Sequence, residues 1–285
     1  MIIDMHYHLE PRLESVDSLL EQMDRHDVDR VALMAAMNDP FHLSRVAVAF
    51  AAIGTSALRS PLRRLGLLMY RTTVSSSGQL SLLGKTYTIY DVPSNEDVAS
   101  VMQRHSDRFY GWIFVNPRAA DPLAEVERWA GQAGWLGVKT HPFWHRYPVA
   151  MLDDAAAYCE EKDWPLLIHL GADEQQGDYR YLPERHPSLK IVYAHAGVPF
   201  YQEVWDYARG KDNVYVDLSN PLYVGEQARL GAIKALGVEK CLHGTDGPYG
   251  RATQGRMLRE ILRLPLSDAE KERILGGNFA GIIGA

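Results

Sequence analysis

Residues 165–197 read PLLIHLGADEQQGDYRYLPERHPSLKIVYAHAG. Two short apolar runs, Pro165–His169 and Lys190–His195, each end in a histidine. Both are continuous rather than alternating, as expected of parallel strands buried on both faces. Parallel neighbours need a crossover, and the intervening Gly171–Pro187 is read as a helix.

Working outward, the same unit recurs. Further β-rich runs are Ile2–His6, Arg30–Met37, Phe109–Val115, Leu136–Thr140, Val214–Leu218 and Lys240–Asp246. Amphipathic helical patterns fall between them, including Ser15–Asp27, Ser94–His105, Pro122–Gln132, Val149–Lys162, Gln202–Arg209, Glu226–Leu236 and Thr253–Leu264. A final helix is expected over Asp268–Leu275, with Ser267 as its cap and Gly276 as its stop. Eight strand–helix pairs in 285 residues indicate a (β/α)8 TIM barrel. An open doubly wound sheet is the competing α/β arrangement, but no glycine-rich phosphate loop follows the first run. The connection between strands two and three is too long for a simple crossover. Residues 38–93 are therefore read as an insertion near the barrel mouth, within a single domain spanning 1–285.

Charge marks that insertion. From Pro40 to Tyr90 there is no Asp or Glu, while Arg45, Arg59, Arg63, Arg64, Arg71 and Lys85 make the stretch +6 and leave the rest at −12. An acidic whole argues against a nucleic-acid partner. No apolar run is long enough to span a bilayer, so no membrane partner is expected. Two distant cysteines, Cys159 and Cys241, and an N-terminus without a basic, apolar leader fit a cytoplasmic protein. His26, His105 and His186 fall at helix ends or loops and are expected in solvent.

The polar residues at the C-terminal ends of the apolar runs carry the chemistry, because a TIM barrel builds its site there. Strand one ends in His6-Tyr7-His8, and alternation sends both imidazoles to one face. Lys139 ends strand four, His169 strand five, His195 strand six and Asp246 strand eight. One histidine at a strand end is ordinarily a hydrogen-bonded structural residue. Four of them with an aspartate would be costly to bury without a partner. A divalent metal removes that cost. Imidazole with carboxylate suits Zn2+, with Mn2+, Fe2+ or Ni2+ as alternatives.

These residues resemble the amidohydrolase superfamily, in its amidohydrolase-related branch of single-barrel enzymes. The likeness runs from His6-x-His8 through His169 and His195 to Gly244-Thr245-Asp246, and on to Gly276-Gly277-Asn278-Phe279-Ala280. The resemblance implies one metal held by His6, His8, His169 and Asp246, with Asp246 and His195 as catalytic groups. It also implies that Lys139 is either a carboxylated bridge between two metals or an ammonium facing an anionic substrate. His141 is a second substrate contact or a residue of the Pro142 turn. Arginine forks recognise carboxylates, so Arg71 or a neighbour in the acid-free block is expected to clamp the substrate. The activity implied is hydrolysis of a C–O or C–N bond in a small anionic molecule. Non-oxidative decarboxylation of an aromatic or unsaturated acid is the alternative, and a non-catalytic binding protein a third. Such barrels often form homodimers, and Val46–Leu58 is apolar enough to contribute to the interface.

Overall fold

The apolar runs form strands that hydrogen-bond side by side. A computed structural model describes residues 1–75, 78–82, 84–249 and 252–285. Its strands are β1 (Ile3–Leu9), β2 (Arg30–Ala35), β3 (Gln79–Leu82), β4 (Lys85–Thr88), β5 (Phe109–Val115), β6 (Trp135–Thr140), β7 (Leu166–Ile168), β8 (Ile191–Tyr193), β9 (Val214–Asp217) and β10 (Cys241–Leu242). All but β3 and β4 join one parallel sheet in the order β1-β2-β5-β6-β7-β8-β9-β10. Helices lie between the strands, and the arrangement is a TIM barrel.

β10 is only two residues long, yet the barrel closes beyond it. The Met5 amide donates to the His243 carbonyl (3.1 Å), the Asp246 amide to His6 (2.7 Å) and the His8 amide to Gly247 (2.7 Å). The segment 243–247 thus runs beside β1 as the final staves.

β1 shifts register between Asp4 and Tyr7. Below the shift, Ile3 and Met5 pack in the smaller apolar cluster with Trp112, Leu167, Val192 and Phe279. Above it, Tyr7 and Leu9 join the larger cluster beneath the helices. The irregularity changes the phase of alternation, so Met5 and His6 both turn to the interior.

Helix α1 (Val16–Arg25) joins β1 to β2, and the β2-to-β5 connection carries α2 (Arg45–Leu58), α3 (Arg63–Arg71), the antiparallel β3–β4 hairpin and α4 (Asn95–Arg104). Ser44 caps α2 by accepting from the Ala47 amide (3.2 Å). Thr55 ties α2 to the barrel by donating to the Leu222 carbonyl (2.9 Å). α2 and α3 touch at Gly66, where a Cβ would lie 2.6 Å from the Leu58 nitrogen. None of the helices is long and apolar enough to cross a membrane, among the described residues.

Three local expectations are corrected. Within Gly171–Pro187 only Tyr181–Arg185 is helical. Asp173 accepts from the Gln175 and Gln176 amides and Asp178 from Arg180 and Tyr181, and such side-chain bonds hold backbone in turns. The last helix does not stop at Gly276. Asp268–Glu272, closed by a Ser267–Glu270 capping box, continues through a π-helical turn at Arg273–Gly277 into Asn278–Ile283. Gly276 instead permits close approach, because a Cβ there would lie 2.4 Å from the Met1 carbonyl oxygen. His186 is buried, 3.0 Å from Asp153 Oδ1 and 3.2 Å from Glu160 Oε2.

The α2–α3 contact is testable. Gly66→Ala should push the helices apart and cost about 1–3 kcal/mol, read as a drop of several degrees in thermal unfolding. An unchanged midpoint would show that this approach is not close in solution.

Candidate metal centre

The closing staves bring Asp246 to the two histidines of β1. His8 Nε2 lies 3.0 Å and His6 Nε2 3.1 Å from the same oxygen, Asp246 Oδ1. Gly244 makes this possible, since a Cβ there would sit 2.8 Å from that of His6. Asp246 itself takes a left-handed backbone (φ 60°), a costly conformation for a non-glycine residue. Its amide bond to His6 helps hold it there. Asn220 Nδ2 donates to the other oxygen, Oδ2, at 2.7 Å.

The far sides of the imidazoles are tied down. His6 Nδ1 meets Asp217 Oδ2 at 2.8 Å, and His8 Nδ1 meets the Ala35 carbonyl at 3.3 Å. Both Nδ1 atoms face acceptors and therefore carry the proton. Both Nε2 lone pairs then turn toward Asp246. A carboxylate behind a ligating histidine is a recurrent way to fix its tautomer and strengthen it as a donor. His6 Nε2 is buried and has no hydrogen-bond partner. Three buried electron-rich atoms converging within 4.8 Å fit a divalent cation of the borderline kind that imidazole and carboxylate hold.

The electrostatics of the cluster agree. Burial would lower the pKa of His6, but Asp217 and Asp246 outweigh it and the value is raised. Burial would raise Asp246, yet the electrostatic pull of His195 and His6 outweighs it and holds the carboxyl well below the usual range. A cluster that raises a buried histidine's affinity for a proton is one shaped around positive charge.

His195 is the next neighbour. Its backbone is also left-handed (φ 52°), its Nδ1 meets Ser219 Oγ at 2.8 Å and its Nε2 lies 3.8 Å from Asp246 Oδ2. Burial lowers its pKa to about 4, against the pull of Asp246 and Asp217. His6, His195 and Asp217 form a second group with ligand-like spacing.

His169 belongs to neither group. Its Nε2 meets the Tyr70 hydroxyl at 2.6 Å, and its ring stacks on His141 with centroids 4.1 Å apart. His141 Nδ1 accepts from the Trp144 amide (3.1 Å), capping the short helix Pro142–His145. Its ring also lines the pocket. Lys139, at the end of β6, is fully buried and its Nζ has no hydrogen-bond partner among the described residues. Burial lowers it to about 8, although Asp246 and Asp217 pull the other way.

The structure does not bring Arg71 to the pocket. Its guanidinium donates to the Ala172 carbonyl (2.6 and 3.1 Å). Arg63 pairs with Glu203 at 2.5 Å, and Arg59 lies over the Tyr201 ring.

Sequence reasoning passed over Asp217, Asn220 and Tyr70. Asp217 had a signal, a charged residue inside the apolar run Val214–Leu218. It accepts from the His195 amide (3.1 Å), the Ser219 amide (2.9 Å) and the Ser219 hydroxyl as well as His6. Tyr70 had none, since it arrives from α3 in the long connection.

These groups open into a cavity of about 370 Å³, lined by His6, His8, Lys139, His141, His169, His195 and Asp246 and walled by α2 and α3. A family model described as amidohydrolase matches residues 89–280. Among curated protein sequences none matches the chain significantly. An uncharacterized TIM-barrel protein from Bordetella bronchiseptica superposes with a TM-score of 0.67 at 17% identity, covering 99% of this chain and 98% of that one. A dihydroxybenzoic acid decarboxylase from a Polaromonas species, with bound manganese and the inhibitor 2-nitroresorcinol, gives 0.63 at 17%, covering 99% and 96%. A 4-oxalomesaconate hydratase from Rhodopseudomonas palustris gives 0.63 at 18%, covering 100% and 96%. Likeness at these identities concerns the fold.

Lys139 offers a test. An unpartnered ammonium in a buried site costs stability, so Lys139→Met should stabilise the metal-stripped chain by about 1–3 kcal/mol in urea unfolding. The folded-state value is about 8 against 10.5 for the free side chain. The advantage should therefore be greatest below pH 8. It should shrink as pH rises toward 10.5, because there the unfolded chain holds the extra proton and raising pH favours the wild-type fold. A destabilised variant would show that the ammonium has a partner.

Proposed function

The chain belongs to the amidohydrolase family, and on that premise we propose that it is a metal-dependent hydrolase acting on a C–O or C–N bond of a small organic acid or its derivative. One observation carries the proposal. His6 Nε2, His8 Nε2 and Asp246 Oδ1 converge while both Nδ1 atoms are held from behind. One divalent ion, Zn2+ by donor chemistry with Mn2+, Fe2+ or Ni2+ as alternatives, would be held by His6, His8 and Asp246, with His169 on the adjoining wall. When bound, such an ion supplies Lewis-acid polarisation and acidifies water.

The chain's own groups supply the rest. Asp246, ionised throughout the working range, takes the proton of the attacking water and delivers it to the leaving group. Asn220 keeps the carboxylate from rotating away. His195 is neutral near pH 7, and its imidazole borders Asp246 Oδ2, where it orients the substrate carbonyl. The Lys139 ammonium faces the developing negative charge in a site of low dielectric, where one fixed charge is worth more than in water. Being unpartnered, it loses no existing bond when the substrate arrives. The partner is a small molecule. The exposed side chains of Val46, Phe50 and Ile53 on α2 support a homodimer.

Decarboxylation is the second reading, and the likeness to the manganese-bound decarboxylase favours it. The same residues would serve, with Lys139 at the carboxylate and Asp246 passing a proton to carbon. CO2 release from hydroxybenzoate-like acids, set against hydrolysis of lactones and amides, separates the two.

Under either reading, chelation should abolish turnover and added Zn2+ or Mn2+ should restore it. Asp246→Asn should lower kcat at least about a hundredfold while the protein still folds. Full activity after verified metal removal, or near-normal kcat in Asp246→Asn, would refute the assignment.

A further inference from the structure

The cavity is divided by polarity. Its charged and imidazole side chains, His6, His8, Lys139, His141, His169, His195 and Asp246, all come from the barrel. Much of the remaining wall comes from the acid-free connection, which contributes Phe41, Ala47, Ala51, Leu58 and Met69 together with Ser81 and with Thr55, Tyr70, Thr72 and Thr73, whose hydroxyls are engaged by Leu222, His169, Met69 and Tyr70. Among the described residues, no charged side chain of that connection lines the cavity. Three of its arginines are engaged elsewhere, Arg59 by Tyr201, Arg63 by Glu203 and Arg71 by the Ala172 carbonyl. A second charged or strongly polar end on the substrate would be desolvated against this wall with no partner, which is costly. The volume, about 370 Å³, lies in the ~300–1,000 Å³ range of sites that enclose drug-sized ligands.

The outer surface of the same connection is apolar as well. Phe50 lines the cavity yet is 52% exposed, and Ile53, Leu65 and Leu68 are also exposed.

We infer that the substrate is an amphiphile with a single anionic or carbonyl head, set among His6, His8, His195 and Lys139, and an apolar tail laid along α2 and α3. The inference rests on the proposed reading of the head site and adds what the rest of the molecule must be. It assigns the connection the role of tail-binding wall and removes the need for an arginine clamp.

The test is binding, with no turnover required. Straight-chain monocarboxylates from butyrate to dodecanoate are titrated into the Zn2+-loaded protein below their micellar concentrations, followed by calorimetry and by the fluorescence of Trp144, which lines the cavity. Affinity should rise about fourfold per added methylene and then level off as the cavity fills. Ala51→Phe and, independently, Met69→Trp should move that levelling to shorter acids, which adsorption to the outer surface would not do. Either variant suffices if the other fails to fold.

Affinity that does not change with chain length would overturn the inference while leaving the head site intact. So would tighter binding of a dicarboxylate than of the monocarboxylate of equal length, or a slope that both folded variants leave untouched. Failure of every carboxylate to bind would overturn the reading of the head site, and this inference with it.

Discussion

Everything at the mouth of this barrel depends on how the last staves return to the first. Three backbone bonds between β1 and residues 243–247 do the work of a strand pairing that β10 is too short to make. They fix Asp246 beside His6 and His8 across 238 residues of sequence. The cost is a left-handed backbone at Asp246 and a position, Gly244, with no room for a side chain. Closing the barrel and assembling the candidate metal ligands are one event.

The electrostatics follow from that closure. Two carboxylates, Asp217 and Asp246, are buried among His6, His8 and His195, and the histidines are poised by which carboxylate each nitrogen faces. His6 stands between both and gains proton affinity in spite of burial. His8 and His195 lose it. Lys139 completes the cluster as a cation without a partner. Burying so many polar groups does not favour stability, and proteins accept that at sites where chemistry is done.

The long connection gives the site its other half. Its acid-free composition suggested arginines reaching for an anion. In the fold Arg59, Arg63 and Arg71 find acceptors and aromatic rings on the barrel, and the helices turn small and apolar side chains to the cavity. A charge count cannot distinguish these outcomes, because the direction of each side chain depends on how α2 and α3 seat against the strands. The resulting wall leaves Lys139 and the candidate metal ligands as the charged groups of the cavity.

Much was legible without coordinates. Continuous apolar runs ending in His, Lys or Asp identify parallel strands and the end at which their polar residues gather, because hydrophobic periodicity is local. Spacing alone puts His6 and His8 on one face. It does not say which face: the register shift within β1 moves Met5 and His6 to the same side of the barrel, and simple alternation would have separated them. Only the tertiary structure pairs His6 with Asp217 across 211 residues and His169 with Tyr70 across 99. It alone converts Gly276 from a helix stop into a point of close approach. Such contacts join segments that are independent in sequence, and their geometry exists only once the barrel has closed.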